Sequence, residues 1–363
     1  MNTPDNFYCL LIRGTDLSAV EREHVIQVYK DLGKEKLYKQ MQKKKILPFA
    51  ANTLVACGLD VDFWAPVLMQ YRQRNQIILR VLDEAYGELA RQGVTKMFVS
   101  ENFAALLSSR NDLALFASGD VDNHAHPEEK ENIYRAFEAL GYTRKERFSG
   151  NHQIAAEFFP PHIDGLPEKF YISVDFYPLA RLKLPCFIDS EKFVDWDSLY
   201  CYENTSVRLP NANALAYICM MHLSLHSFSR APDIRLYIDL LNVFHTNVDY
   251  EKLAAWCKED GTCTRAATAA QLSNLLMHTE FPDTIVHLSP RRHRLIKQVY
   301  DQTRNDLRYE PRGLKVLLIE MYCHDRGVLH GVKEILIPDK NWMKRVYGSS
   351  GIVAHIKHFG KVI

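Results

Sequence analysis

Leu113-Ala-Leu-Phe-Ala-Ser-Gly-Asp-Val-Asp-Asn123 is the stretch from which the rest of the chain is read. The apolar run from Leu113 to Ala117 predicts a strand. Gly119 permits a bend after it, two aspartates follow one residue apart, and Pro127 opens a helical pattern. Side chains at i and i+2 of a strand share a face, so Asp120 and Asp122 converge at the end of the expected strand. Two hard oxygen donors set close together suit Mg²⁺, or Mn²⁺ in its place, with phosphate oxygens and water completing the shell. Phosphoryl-type chemistry on a nucleotide is the expectation. The triplet alone is not specific, because two others occur. Asp60-Val-Asp62 precedes a helical run and reads as an N-cap with a first-turn charge. Asp195-Trp-Asp197 lies in a polar, aromatic connection and reads as a turn.

Periodicity around this stretch changes twice. Residues 17 to 92 read as helices: Val20, Ile26, Val28, Tyr29 and Leu32 fall at helical spacing, and a longer stripe runs from Phe63 through Ile78 and Leu82 to Leu89. Gly93 is expected just past the end of that helix. Lys96 to Ser100 then reads as a strand, Asn102 to Ser108 as a helix, and Pro127 to Leu140 as a helix closed by Gly141. Tyr142 to Arg147 and His152 to Phe159 read as strands joined by a Ser149-Gly-Asn151 turn. From Asn213 onward helices return, over 215–228, 234–244, 250–258, 265–278, 295–307, 313–324 and 340–347. The expected class is α+β, with a helical region over 1–92, a small mixed-sheet core over 93–183 and a helical region over 184–363.

Asp175 supplies a third carboxylate. In Phe170 to Tyr177, Phe170, Ile172, Val174 and Phe176 take one face of a strand, and Tyr171, Ser173, Asp175 and Tyr177 the other. If this strand lies beside that of Asp120 and Asp122, the three carboxylates meet. A third carboxylate suits metal bridging and deprotonation of an attacking hydroxyl.

The succession Gly119-Asp-Val-Asp122, a helix ending Ala-Leu-Gly141-Tyr142, and Val174-Asp-Phe-Tyr177 resembles the nucleotidyltransferase superfamily typified by polymerase beta. It more closely resembles the bacterial family of uncharacterised nucleotidyltransferases. Met221-His-Leu-Ser-Leu-His226, Ile234-Arg-Leu-Tyr-Ile-Asp-Leu-Leu241 and Asp249-Tyr-Glu-Lys-Leu253 resemble the helical region of that family. The resemblance implies that Asp120, Asp122 and Asp175 bind the metal. It also implies transfer of a nucleoside monophosphate from an NTP, such as ATP, to an acceptor, with release of pyrophosphate. The superfamily cradles the triphosphate on a Gly-Gly or Gly-Ser pair between the first strand and helix. Here Val99-Ser100-Glu101-Asn102 stands at that place, so Ser100 and Asn102, with Ser118 and Gly119, are the candidate nucleotide contacts. Glu101 is the departure, because its charge would repel a triphosphate. A catalytically inactive nucleotide-binding or scaffold protein, and the same fold with an unusual phosphorylated donor, are the alternatives.

His124, His126 and Arg235 are candidate substrate contacts, the two histidines read as part of a loop. Arg235 can instead pair with Asp239 four residues on, and His222 and His226 read as core histidines. Lys130, Lys169, Arg181 and Lys183 are further phosphate candidates. No phosphate-loop, dinucleotide or nucleophile-elbow motif is present. The net charge of +1 argues against a polybasic surface for nucleic acid or membrane, and favours a small molecule or peptide as acceptor. Eight scattered cysteines without a Cys-x-x-Cys pair, no signal-peptide pattern and no apolar run of membrane-spanning length predict a cytoplasmic protein.

Overall fold

The computed structural model describes residues 7–14, 16–149, 152–176, 193–228, 234–289, 296–297, 300, 318–319 and 321–362. The chain begins with helices α1 (Phe7–Arg13), α2 (Ala19–Leu32), α3 (Lys34–Lys43), α4 (Leu47–Ala56) and α5 (Val61–Arg91). In α5 the apolar stripe buries Trp64, Val67, Ile78, Leu82 and Leu89. The helix stops where Gly93, at φ +79°, follows it. There Val94 N–H bonds Leu89 C=O and Gly93 N–H bonds Ala90 C=O, so the last carbonyls are satisfied. Asp60 holds the N-cap position of α5 without capping it, because its carboxylate accepts from the Tyr29 hydroxyl. On α2 the buried residues are Val25 and Tyr29, while Val20 of the expected stripe is exposed.

The sheet comprises β1 (Met97–Val99), β2 (Asp120–Ala125), β3 (Thr143–Ser149), β4 (His152–Phe159) and β5 (Tyr171–Asp175), with α6 (Glu101–Ser108) and α7 (Lys130–Ala139) between strands. Its order is β1-β2-β5-β4-β3, with β2 and β5 parallel and the other pairs antiparallel. The fold is therefore mixed α/β around a five-stranded mixed sheet. α7 ends as α5 does, with Gly141 at φ +76° and Tyr142 N–H on Phe137 C=O. Phe137 and Phe158 stack at 4.0 Å, which sets α7 on the apolar face of the sheet. Tyr86 of α5 donates to Asn123 Oδ1 at 2.7 Å on the same side.

The expected strand over 113–117 is replaced by a 3₁₀ turn, Leu113–Leu115. Asp112 caps it by accepting from Ala114 N–H at 2.9 Å. Asn75 donates to the Phe116 carbonyl at 3.0 Å and also to that of Leu113, and Arg74 reaches Phe116 as well. Side chains of α5 thus satisfy carbonyls that a strand ladder would otherwise need. The aspartate pair consequently opens a strand instead of closing one.

After a short pair, β6 (Tyr200–Cys201) and β7 (Arg208–Leu209), the chain forms α8 (Ala212–Leu225), α9 (Arg235–Phe244), α10 (Tyr250–Asp260), α11 (Cys263–Met277) and α12 (Asp283–Val286). Then come α13 (Val328–Leu336), α14 (Lys340–Tyr347) and α15 (Ile352–Val362). One contiguous apolar cluster runs from Cys9 through the sheet to Cys323, and Trp342, Met343 and Tyr347 form a separate small one. No described helix is long and apolar enough to cross a membrane. Gly150 and Asn151 of the expected turn, Tyr177, Arg181, Lys183 and most of the expected helices over 295–307 and 313–324 lie outside the described residues.

Candidate functional site

Register decides which side chains meet. Asp120 pairs with Tyr171, Asp122 with Ser173, and His124 with Asp175 across the parallel β2–β5 ladder. Paired residues share a face, so Asp120, Asp122 and Asp175 lie on one side of adjacent strands. From β4, Ala155 pairs with Asp175 and Glu157 with Ser173, and Arg147 of β3 pairs with Ala155. Val121, Asn123, Ile172 and Val174 are buried on the other side, toward α5 and α7.

Each carboxylate has an identifiable neighbour. Asp120 accepts from Tyr171 Oη at 2.9 Å and from the Ser118 hydroxyl. Glu101 hydrogen-bonds Asp122, and its Oε2 lies 3.1 Å from His222 Nδ1 of α8. Burial, and then the charge of Asp120, pushes Asp122 up to about 6, against the Glu101 hydrogen bond and Arg235. Burial pushes Asp175 up to about 7, opposed by Arg147 and reinforced by Asp122 and Glu157. Asp239 of α9 is pushed up to about 7 by burial, opposed by Arg235. Glu101 stands well above the carboxylate range, through burial and then Asp122, Asp175 and Asp239. His222 is held well below its ordinary value by burial, His226 and Arg235, so it is neutral.

The expected nucleotide contacts sit at the start of α6. Ser100 is its N-cap residue but makes no side-chain cap. Ser100 Oγ and Asn102 Oδ1 are buried, and neither has a hydrogen-bond partner among the described residues. Buried polar atoms are rarely left so, and these two flank the backbone N–H groups of a helix N-terminus. Glu101 stands between them at φ +54°, in the left-handed region. Ser118 is buried and commits its hydroxyl to Asp120, and Gly119 has open space where a Cβ would stand.

Of the two histidines expected in a loop, His126 lies in one and His124 does not. His124 is a β2 residue, buried against Phe98 with ring centroids 5.6 Å apart, and burial takes it down to about 3. His126 caps the 3₁₀ turn Pro127–Glu129 by accepting from Glu128 N–H. Alternation had continued past Asp122, and its apolar partner Ala125 was the available sign. Arg235 forms no ion pair with Asp239 within 4 Å among the described residues, and its Nε has no hydrogen-bond partner there. It lies near enough to lower both Asp122 and Asp239. Lys130 lies over the Tyr134 ring and Lys169 is exposed. Arg147 and Glu157 were not anticipated, although both follow from alternation along their strands.

Among the described residues no three His, Cys, Asp or Glu side chains converge on a metal-sized point. Mg²⁺ needs less than that, since one or two carboxylates with substrate phosphates suffice. The donor set fits it: Asp120 and Asp122 are hard oxygen donors on one face of the sheet. Comparison of the chain with models of protein families, with curated proteins and with solved structures gives no match.

Proposed function

We propose that this protein is a metal-dependent nucleotidyltransferase, whose mixed sheet serves as a nucleotidyltransferase core between two helical regions. The observation that carries the reading is the placement of Asp120, Asp122 and Asp175 on one face of adjacent parallel strands, facing the N-terminus of α6. Asp120 and Asp122 would hold Mg²⁺ or Mn²⁺. When bound, the ion neutralises charge on the phosphate oxygens.

The residues around it then have distinct tasks. Asp175, pushed up to about 7, takes the proton of the acceptor hydroxyl. The acceptor oxygen forms its bond to the α-phosphorus as the bond from that phosphorus to the bridging oxygen breaks, and pyrophosphate carries away the electron pair. The N–H groups at the start of α6 and the free side-chain atoms of Ser100 and Asn102 suit the leaving phosphates. Arg235 supplies a nearby positive charge. Among the described residues nothing in the site selects a base, and a small molecule or peptide remains the preferred acceptor.

Calorimetric titration with each of the four NTPs, with and without Mg²⁺, tests this. Binding that requires metal and weakens by about tenfold or more in Asp120→Ala and Asp122→Ala is expected. Equal binding by wild type and both variants would overturn the metal site. A second reading, a nucleotide-fold scaffold without transfer, is favoured by one observation: Glu101 already places a carboxyl at the start of α6. Metal-dependent release of pyrophosphate would remove it.

A further inference from the structure

A cavity of about 240 Å³ lies between the N-terminal and C-terminal helices, at the opposite end of α6 from Glu101. Ile12 of α1, Phe49 and Asn52 of α4, and Ile238 and Asn242 of α9 line it, with Met277 of α11. Asn111, three residues past the end of α6, stands at its exposed rim. The volume is below the roughly 300–1,000 Å³ of sites for drug-sized ligands, which suits a ligand of about one ring system.

The polar groups narrow the chemistry. Arg13 lines the cavity but is committed to Glu21 at 2.7 Å. An anionic ligand therefore meets no uncommitted Arg or Lys among the described lining residues. Asparagines remain. Asn111 Nδ2 donates to Asn242 Oδ1 at 2.7 Å. The other ends of this pair, Asn242 Nδ2 and Asn111 Oδ1, have no partner among the described residues, and Asn242 is only 5 % exposed. The half-buried amide of Asn52 is likewise without one. A nearly buried donor and a neighbouring acceptor, walled by Phe49, Ile238 and Met277, match a flat neutral ring with adjacent acceptor and donor. Asparagine amides are among the side chains that hydrogen-bond base edges.

We propose that this cavity binds a neutral nucleobase-type heterocycle, and that α6 and α9 couple it to the carboxylate cluster. Arg235, Asp239 and Asn242 are spaced i, i+4 and i+7 on α9, on one stripe of that helix. Glu101 opens α6, which spans about 12 Å, and Asn111 follows its end. A ligand that fixes the Asn111–Asn242 contact restrains both helices at once. The site goes beyond the transferase reading, and its test needs no transfer.

The probes are adenine, cytosine, uracil and nicotinamide, titrated into the full chain by calorimetry and ligand-observed NMR. At least one is expected to bind, with affinity reduced about tenfold or more in Asn242→Leu. Asn111→Ala, at the exposed rim, should weaken binding too, and serves if Asn242→Leu does not fold. The bound probe should slow amide hydrogen exchange over 101–111. Failure of all four to bind at their solubility limits, or binding unchanged in Asn111→Ala, would overturn the site. Binding without slower exchange in α6 would overturn the coupling.

Discussion

A glutamate at φ +54° in the first position of a helix has a backbone conformation that glycine adopts without strain and other residues adopt at a cost of about 1–2 kcal/mol. Glu101 keeps that conformation while its carboxyl reaches His222 at 3.1 Å and bonds Asp122. It is crowded by the charges of Asp122, Asp175 and Asp239. Two penalties, backbone and electrostatic, thus fall on one residue at the place where a phosphate would sit. In Glu101→Gly both are relieved, while only the His222 and Asp122 contacts are lost. The expected outcome is a melting temperature equal to or above wild type, with Mg²⁺-dependent NTP binding tighter by about tenfold. Glu101→Ala, which keeps the backbone penalty, should melt below the glycine variant. A glycine variant that melts several degrees lower would mean that the carboxyl is structural. It would then have no role in closing a phosphate site.

Among the elements, α2 shows how local sequence sets stability. Ser18 and Glu21 form a capping box, and Arg13 of α1 bonds the same carboxylate at 2.7 Å. Burial acts to raise Glu21, but the Arg13 and Ser18 hydrogen bonds outweigh it and hold the group down to about 2. A depressed folded pKa stabilises above the unfolded value of 4.5, and that stability is lost as pH falls toward 2. Solvent screening limits the contribution to about 1 kcal/mol. Glu21→Gln should therefore unfold more easily than wild type at pH 7, and the gap should close between pH 4.5 and 2 in urea titrations. A gap that persists at pH 2 would place the effect elsewhere. The glycine-terminated ends of α5 and α7 and the alternation of β5 are likewise written in adjacent residues. Those features were legible in the sequence for that reason. The run 113–117 was not, because Arg74 and Asn75, some forty residues earlier, decide what its carbonyls do. The site divides in the same way. Asp120 and Asp122 follow from a two-residue period, while Glu101, His222 and Asp239 meet only through the packing of α6, α8 and α9.

At the scale of the molecule, the three regions expected from periodicity do not have separate cores. Leu54 and Leu82 of the N-terminal helices, Phe158 of the sheet and Leu236 of α9 belong to one apolar cluster. A continuous core unfolds as a unit when its parts cannot keep their buried surface alone. Leu82→Ala, at a site with no exposure, should cost about 2–5 kcal/mol. It should shift the whole main transition, not a step belonging to the N-terminal helices. Tryptophan placement makes this measurable. Trp64, Trp196 and Trp256 pack on the main cluster, while Trp342 belongs to the separate one with Met343 and Tyr347. Among the described residues this cluster is small, so it is expected to hold its helices weakly. Fluorescence should therefore show an early phase, below the far-ultraviolet dichroism transition, that Trp342→Phe abolishes. The main phase should then coincide by both probes and move together in Leu82→Ala. Separate movement of the Trp64 signal would show that the N-terminal helices fold on their own. In that case the α6–α9 pair, which carries both the carboxylate cluster and the asparagine cavity, would lie in a smaller cooperative unit than the shared core implies.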